Sequence, residues 1–229
     1  MKQTKIWRLP FGLSILFEDR DIIVVDKPSG LLSIATMTEK QKTAHWILSE
    51  YLRKKGEKRR AAVVHRLDRD TSGVMLFVKS EQIKRTMMND WDNLVVERKY
   101  IALVEGDILE QEGTINQPLA ENEQGKMIVK SSGAPSITHW KCLGKGRGFS
   151  LVEAELETGR RNQIRAHFAW LGFPLAGDTK YGAKKDPLKR LALHAETLKF
   201  HHPVTKRLME FSVTPDKRFF GIISPSKEK

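Results

Sequence analysis

The densest run of chemically capable side chains is His65-Arg66-Leu67-Asp68-Arg69-Asp70-Thr71-Ser72-Gly73, set between the apolar segments Val63-Val64 and Val74 to Val78. An aspartate at a strand end among arginines and hydroxyls suits a catalytic carboxylate. Cations nearby favour its ionised form, and flanking strands limit its movement. The same residues also read as a turn in which Asp68 or Asp70 caps backbone amides and Gly73 supplies a left-handed conformation. Spacing alone does not separate the two readings.

Other familiar patterns fail on inspection. Gly144-Lys145-Gly146-Arg147-Gly148 lacks the Gly-Lys-Ser/Thr ending of a phosphate loop and the dinucleotide spacing, and reads as a flexible turn. His194-Ala195-Glu196 matches half of a zinc deaminase signature, but Cys142 is the only cysteine. Neither His-Glu-x-x-His nor Gly-x-Ser-x-Gly occurs. His201-His202 beside Pro203 reads as turn packing rather than a metal site, because adjacent histidines usually diverge.

The elements that must position these residues follow from periodicity. Ile22 to Val25 reads as a strand ended by the turn residues Asp26-Lys27-Pro28-Ser29-Gly30. Ala44, Ile47, Leu48, Tyr51 and Leu52 mark one face of a helix closed by Lys54-Lys55 and Gly56. Ser80 caps a second helix, predicted to carry Ile83, Met87 and Trp91 on one face. Tyr100 to Val104 is a strand, and Glu110 to Pro135 reads as a polar surface excursion or a hairpin, with only Ile128-Val129 as an apolar core. In Leu151 to Glu157, Val152, Ala154 and Leu156 alternate with glutamates, as in a half-buried strand. A helix with Ile164, His167, Phe168 and Leu171 on one face follows Thr158-Gly159-Arg160, and Gly172 closes it. Strands Leu191 to Phe200 and Leu208 to Val213 flank His202-Pro203, and the tail 224–229 is expected to fray. Strands and helices mix without regular βαβα alternation, so the class is α+β. No break marks a domain boundary. The expectation is one domain over 1–229, with a core of about 16–215 and an N-terminal extension of 1–15.

Of the 229 residues, 40 are Lys or Arg and 28 Asp or Glu, a formal charge of +12 that points to a polyanionic partner. Basic clusters at Arg53-Lys54-Lys55 with Lys58-Arg59-Arg60, at Arg160-Arg161 with Arg165, and at Lys184-Lys185 with Lys189-Arg190 suit phosphate contacts or solvated faces. No apolar run approaches the roughly 18 residues of a membrane span, and Met1 to Leu16 lacks an uninterrupted apolar segment. One cysteine excludes an intramolecular disulfide and a multi-thiolate zinc site. The cytoplasm is the expected compartment.

His65 to Gly73 followed by Val74 to Lys79 resembles the central His-Arg-Leu-Asp-x-x-Thr-Ser-Gly motif of RluA-type pseudouridine synthases. Asp26 to Leu31 is similar to the family's Lys-Pro-x-Gly segment, and Lys99-Tyr100 to its tyrosine motif. Thr158 to His167 resembles its Gly-Arg-x-x-Gln-[IL]-Arg-x-His motif. Gly177-Asp178, Tyr181-Gly182 and Leu193-His194-Ala195 complete the order, so the resemblance runs from about Leu16 to Pro215. Asn162 departs from the histidine that many members carry. No S4-type RNA-binding domain is expected before the synthase.

The resemblance implies a largely antiparallel mixed sheet bent across two subdomains with a central cleft. It implies isomerisation of uridine to pseudouridine in ribosomal or transfer RNA stem-loops, without cofactor or metal; from the apolar runs no membrane partner is expected, and from the basic charge a monomer is. Asp68 matches the essential aspartate, acting at ribose C1′ or C2′ or on the uracil ring. Arg165 matches the basic residue paired with it, and Tyr100 the active-site tyrosine. Arg66 matches an arginine that in some relatives enters the space left by the flipped base. Arg160 and Arg161 are candidate phosphate contacts, and His65 reads as structural. A second reading, a non-catalytic RNA-binding protein on the same fold, predicts a damaged set, whereas Asp68, Tyr100 and Arg165 are all present.

Overall fold

The computed structural model describes residues 7–223, so the tail expected to fray and the first six residues of the expected N-terminal extension lie outside the described residues. In chain order come β1 (Trp7–Arg8), β2 (Ser14–Glu18), β3 (Ile22–Lys27), α1 (Ala44–Lys54), β4 (Ala62–Val63) and β5 (Ser72–Val78). The helices α2 (Glu81–Asn89) and α3 (Trp91–Leu94) follow, then β6 (Val95–Glu105), β7 (Glu112–Asn116), β8 (Leu119–Glu121) and β9 (Met127–Val129). The remainder is β10 (Ile137–Gly146), β11 (Phe149–Leu156), α4 (Gln163–Trp170), β12 (Leu193–His201), β13 (Leu208–Ser212) and α5 (Arg218–Ile223). Helices and strands are mixed and every strand pair of assigned register is antiparallel, which is the expected α+β class.

The chain divides into two compact units. One comprises the chain to Glu97 and the return segment Ala195–Val213; the other comprises Arg98–His194 and the chain from Thr214 on. In the first unit the strand order is β1-β2-β3-β5-β12, with β4 also on β5 and β13 on β12. All seven residues of β5 are buried, which explains why Val74 to Val78 is continuously apolar rather than alternating. Its Leu76 and Val78 join Ile22, Val24, Met87 and Phe200 in one core. Helix α1 buries Ala44, Ile47, Leu48 and Leu52, and the Thr43 hydroxyl caps it by accepting from Trp46 N at 3.1 Å. Ser80 caps α2 in the same way, accepting from Ile83 N at 3.1 Å. Trp91 is not on that helix as predicted. The helical run breaks at Asp90, whose φ of −128° and ψ of 30° are non-helical, and Trp91 begins the separate α3.

In the second unit the order is β6-β11-β10-β7. Ala102, Val104, Trp140, Val152, Ile164 and Phe168 form its main core. The predicted surface excursion carries more structure than its composition suggests. Strand β7 pairs with β10, β8 and β9 form a hairpin, and Ile115, Leu119 and Met127 are buried while Ile128 and Val129 are only half-buried. The glycine-rich run is also mostly strand. Gly144 and Gly146 belong to β10, where an added Cβ would come within 2.7 Å of Ile223, and only Arg147-Gly148 turns, both at positive φ. His202 packs in its turn as expected: one ring nitrogen lies 3.1 Å from Asp19, and the other accepts from Val204 N and Thr205 N.

Candidate active site

Asp68 lies on the loop between β4 and β5, and the segment from the end of β3 onward clamps it by hydrogen bonds. Ser29 Oγ donates to Asp70 O at 2.7 Å, Gly30 N to Arg69 O at 2.9 Å, and Ser33 Oγ to Leu67 O at 2.6 Å. Ser33 Oγ also accepts from Leu67 N at 3.2 Å. At the centre is Lys27, fully buried, whose ammonium donates to Pro28 O, Leu31 O and Arg69 O at 3.0, 2.7 and 3.0 Å. All three ammonium donors are thereby used. Each of these charge-assisted bonds is worth about 1.5–3 kcal/mol net, whereas a buried ammonium without partners would cost several, so the three carbonyls are a condition of burying Lys27. Burial pushes the neighbouring Asp26 carboxyl up, and the Lys27 charge opposes that rise.

Within this frame Asp68 is half-buried, and its carbonyl accepts from Thr71 N at 3.2 Å, closing the turn. Arg66 and Arg69 are exposed on either side. His65 Nε2 accepts from Leu76 N at 2.9 Å, which fixes the start of the loop to β5 and agrees with its structural reading. Gly73 has a φ of 114°, and an added Cβ would collide with the Ala195 backbone, so strand β5 enters the loop through a position only glycine fills.

Tyr100 and the other arginines belong to the second unit. Tyr100 lies on β6 opposite Ala154 of β11, half-buried against the core that holds Val152 and Phe168. The loop before α4 is organised by Gln163, which is buried. Its Oε1 accepts from Thr158 Oγ1 at 2.8 Å and Arg160 N at 3.0 Å, while its Nε2 donates to Ile137 O at 2.9 Å and Thr138 Oγ1 at 3.0 Å. Asn162 takes the left-handed conformation, φ 51°, which asparagine tolerates better than most residues. Arg98 donates to Leu156 O and Glu157 O, and an added Cβ on Gly159 would lie 2.6 Å from its guanidinium.

Arg165 projects from the first turn of α4 into a bidentate pair with Asp178: Nε to Oδ2 at 2.7 Å and Nη2 to Oδ1 at 2.9 Å. The Asp178 side chain is 2% exposed and that of Arg165 14%, so the guanidinium is fixed in orientation as well as charge. Its plane also lies over Tyr181, 4.9 Å from the ring centroid, with Lys126 Nζ at 4.7 Å from the same ring. Arg160 and Arg161 are exposed but engaged. Arg160 Nε donates to Pro135 O at 3.2 Å, and Arg161 Nη2 donates to Gly125 O at 3.1 Å and pairs with Glu121 at 2.7 Å. Arg161 therefore ties α4 to the β8–β9 hairpin.

The positioning residues Lys27, Ser33, Gln163 and Asp178 were not assigned roles from sequence. The signal for three of them was present, since they lie inside or beside the quoted motifs; Ser33 carried none. Among the described residues no group of three or more His, Cys, Asp or Glu is arranged to hold a metal ion, and no helix is long and apolar enough to cross a membrane.

Comparison with known proteins bears on this arrangement. The sequence profile of the family described as RNA pseudouridylate synthase matches residues 21–170. RNA pseudouridine synthase YlyB of Bacillus subtilis is 38% identical over 208 residues, covering 88% of this chain and 69% of its own length. Ribosomal large subunit pseudouridine synthase D of Haemophilus influenzae is 34% identical over 221 residues, covering 89% of this chain and 68% of its own. Human RNA Pseudouridylate Synthase Domain Containing 4 shares the fold, with a TM-score of 0.73 over 90% of each chain at 22% identity.

Proposed function

The chain belongs to the RluA-type RNA pseudouridine synthases, isomerases that convert uridine in RNA to pseudouridine, and on that premise we propose that Asp68 is its catalytic carboxylate. The substrate is a uridine in a ribosomal or transfer RNA stem-loop. The bond from ribose C1′ to uracil N1 breaks, the uracil turns, and C5 bonds to C1′. The C5 proton leaves and N1 gains one, so atoms and electrons balance without any redox partner. This chemistry demands a carboxylate held still, a pocket that retains the free base, and a nucleotide out of its stack. The observation that carries the reading is the clamp on the Asp68 loop by Lys27, Ser29, Gly30 and Ser33. Tyr100 stacks on the displaced uracil and is the candidate for late proton removal from C5. Arg165 is assigned the role of orienting the carboxylate. Arg66 occupies the gap that the flipped nucleotide leaves, and Arg160 and Arg161 contact phosphate. The protein acts as a cytoplasmic monomer.

The test uses the full chain and transcribed ribosomal and transfer RNAs carrying tritium at uridine C5. Wild type releases tritium as C5 bonds to carbon, and Asp68→Ala releases none above background while still binding the RNA. Release by Asp68→Ala at the wild-type rate would remove the carboxylate from the reaction.

A further inference from the structure

The first unit carries two neighbouring cavities that neither Asp68 nor Arg66 lines. The larger, of about 900 Å³, is bordered by Lys40, Trp46, Arg53, Lys58 and Arg60. The smaller, of about 750 Å³, is bordered by Trp7, Arg20, Tyr51 and Lys55. They share Glu57, Lys58, Arg59 and Lys79, so they flank one basic segment rather than forming separate sites.

The charges around the larger cavity do not cancel. Its carboxylates are all engaged: Glu50 with Arg53 at 2.7 Å, Glu57 with Lys79 at 3.2 Å, and Glu81 with Lys84 at 3.4 Å. Arg59 is engaged too, with Asp21 at 3.4 Å. Lys40, Lys58 and Arg60 remain, all three exposed, and their side chains make no hydrogen bond or ion pair among the described residues. Beside them stands the half-buried indole of Trp46, while Trp7 borders the other cavity at 53% exposure. Unpaired cations beside accessible aromatic rings are the requirements of single-stranded nucleic acid, phosphates on the cations and bases on the rings. Two cavities side by side suit a chain of nucleotides better than one small anion.

We propose that these cavities form a track for single-stranded RNA outside the uridine-isomerising site, with Lys40, Lys58 and Arg60 on phosphates and Trp46 stacking a base. The proposal rests on the reading of this chain as a synthase acting on RNA. It adds a second anchoring surface through which RNA flanking the target uridine contributes to affinity.

The experiment is fluorescence anisotropy of the full chain with a fluorescein-labelled oligouridylate of about twelve nucleotides, within the usual site size of such grooves, across a KCl titration. Replacing Lys40, Lys58 and Arg60 together by alanine reduces the slope of log affinity against log salt by about 2, at roughly 0.7 per phosphate contact on a single strand. A control triple at Arg85, Lys141 and Lys217, exposed positions elsewhere with the same loss of charge, leaves the slope unchanged. Trp46→Ala weakens binding about tenfold and Trp46→Phe restores most of it, since stacking needs a ring rather than an indole. Equal slope losses in the two triples would overturn the proposal in favour of general charge attraction. Altered binding of uridine monophosphate with unaltered oligouridylate binding would overturn it in favour of a small-nucleotide site. Tritium release by the control triple, followed in parallel, tests the synthase reading independently of the track.

Discussion

At the scale of the residue, the two charged groups that carry the proposed chemistry are held by different means. Asp68 is placed through its backbone, by a loop whose carbonyls are gripped from the segment after β3. Arg165 is placed through its side chain, by the bidentate pair with Asp178. Removing one partner of such a pair leaves the other charge buried and costs about 3 kcal/mol or more. Arg165→Met is therefore expected to lose roughly 100-fold in single-turnover rate, the scale of one preorganised charged donor, with RNA affinity little changed. Asp178→Asn should reproduce most of that loss through a misoriented guanidinium, as read by the same tritium assay. A wild-type rate in Asp178→Asn would mean that Arg165 does not depend on Asp178 for its orientation.

At the scale of the element, helix α4 shows how a loop motif and a core are made by one stretch of chain. Gln163 organises the turn before it, while His167 points inward, with Nδ1 2.9 Å from Thr138 Oγ1 and Nε2 2.9 Å from Gln117 O. Burial holds the His167 pKa below its ordinary 6.5, although the bond to Gln117 works the other way. The unfolded chain therefore binds this proton more readily than the folded one. The stabilisation is complete above pH 6.5 and is lost as pH falls below it, until the depressed folded-state value is passed. Thermal unfolding between about pH 7 and pH 5 should show a steeper loss of Tm in wild type than in His167→Asn; parallel curves would exclude this histidine.

The elements legible in sequence were those whose apolar positions keep one period. The face of α1, the alternation in β11 and the continuous apolar run of β5 reappear as buried surfaces, except that Tyr51 and Leu156 are only half-buried. Within the excursion the hairpin at Ile128-Val129 was legible as an alternative, but β7 and the bounds of β8 and β9 were not, because each short strand buries only one residue. Strand β10 was hidden by glycines that read as a loop but are required by the approach of Ile223. In the candidate site, Asp68, Tyr100 and Arg165 were visible through motif order. The anchoring of Arg165 by Asp178 was not, because it joins positions that no local period relates.

At the scale of the whole molecule, a charge of +12 is distributed over two compact units, with candidate chemistry in both. The first holds Asp68 and the basic cavities; the second holds Tyr100, Arg160, Arg161 and Arg165. Family membership fixes the reaction, while the choice of RNA rests on contacts that shape and stacking determine. The most direct test of the account is a map of pseudouridines in total RNA from cells lacking this gene, complemented with wild type or Asp68→Ala at equal protein levels. The account predicts that one or a few uridines lose modification and that only wild type restores them. Restoration by Asp68→Ala to the wild-type extent would contradict it.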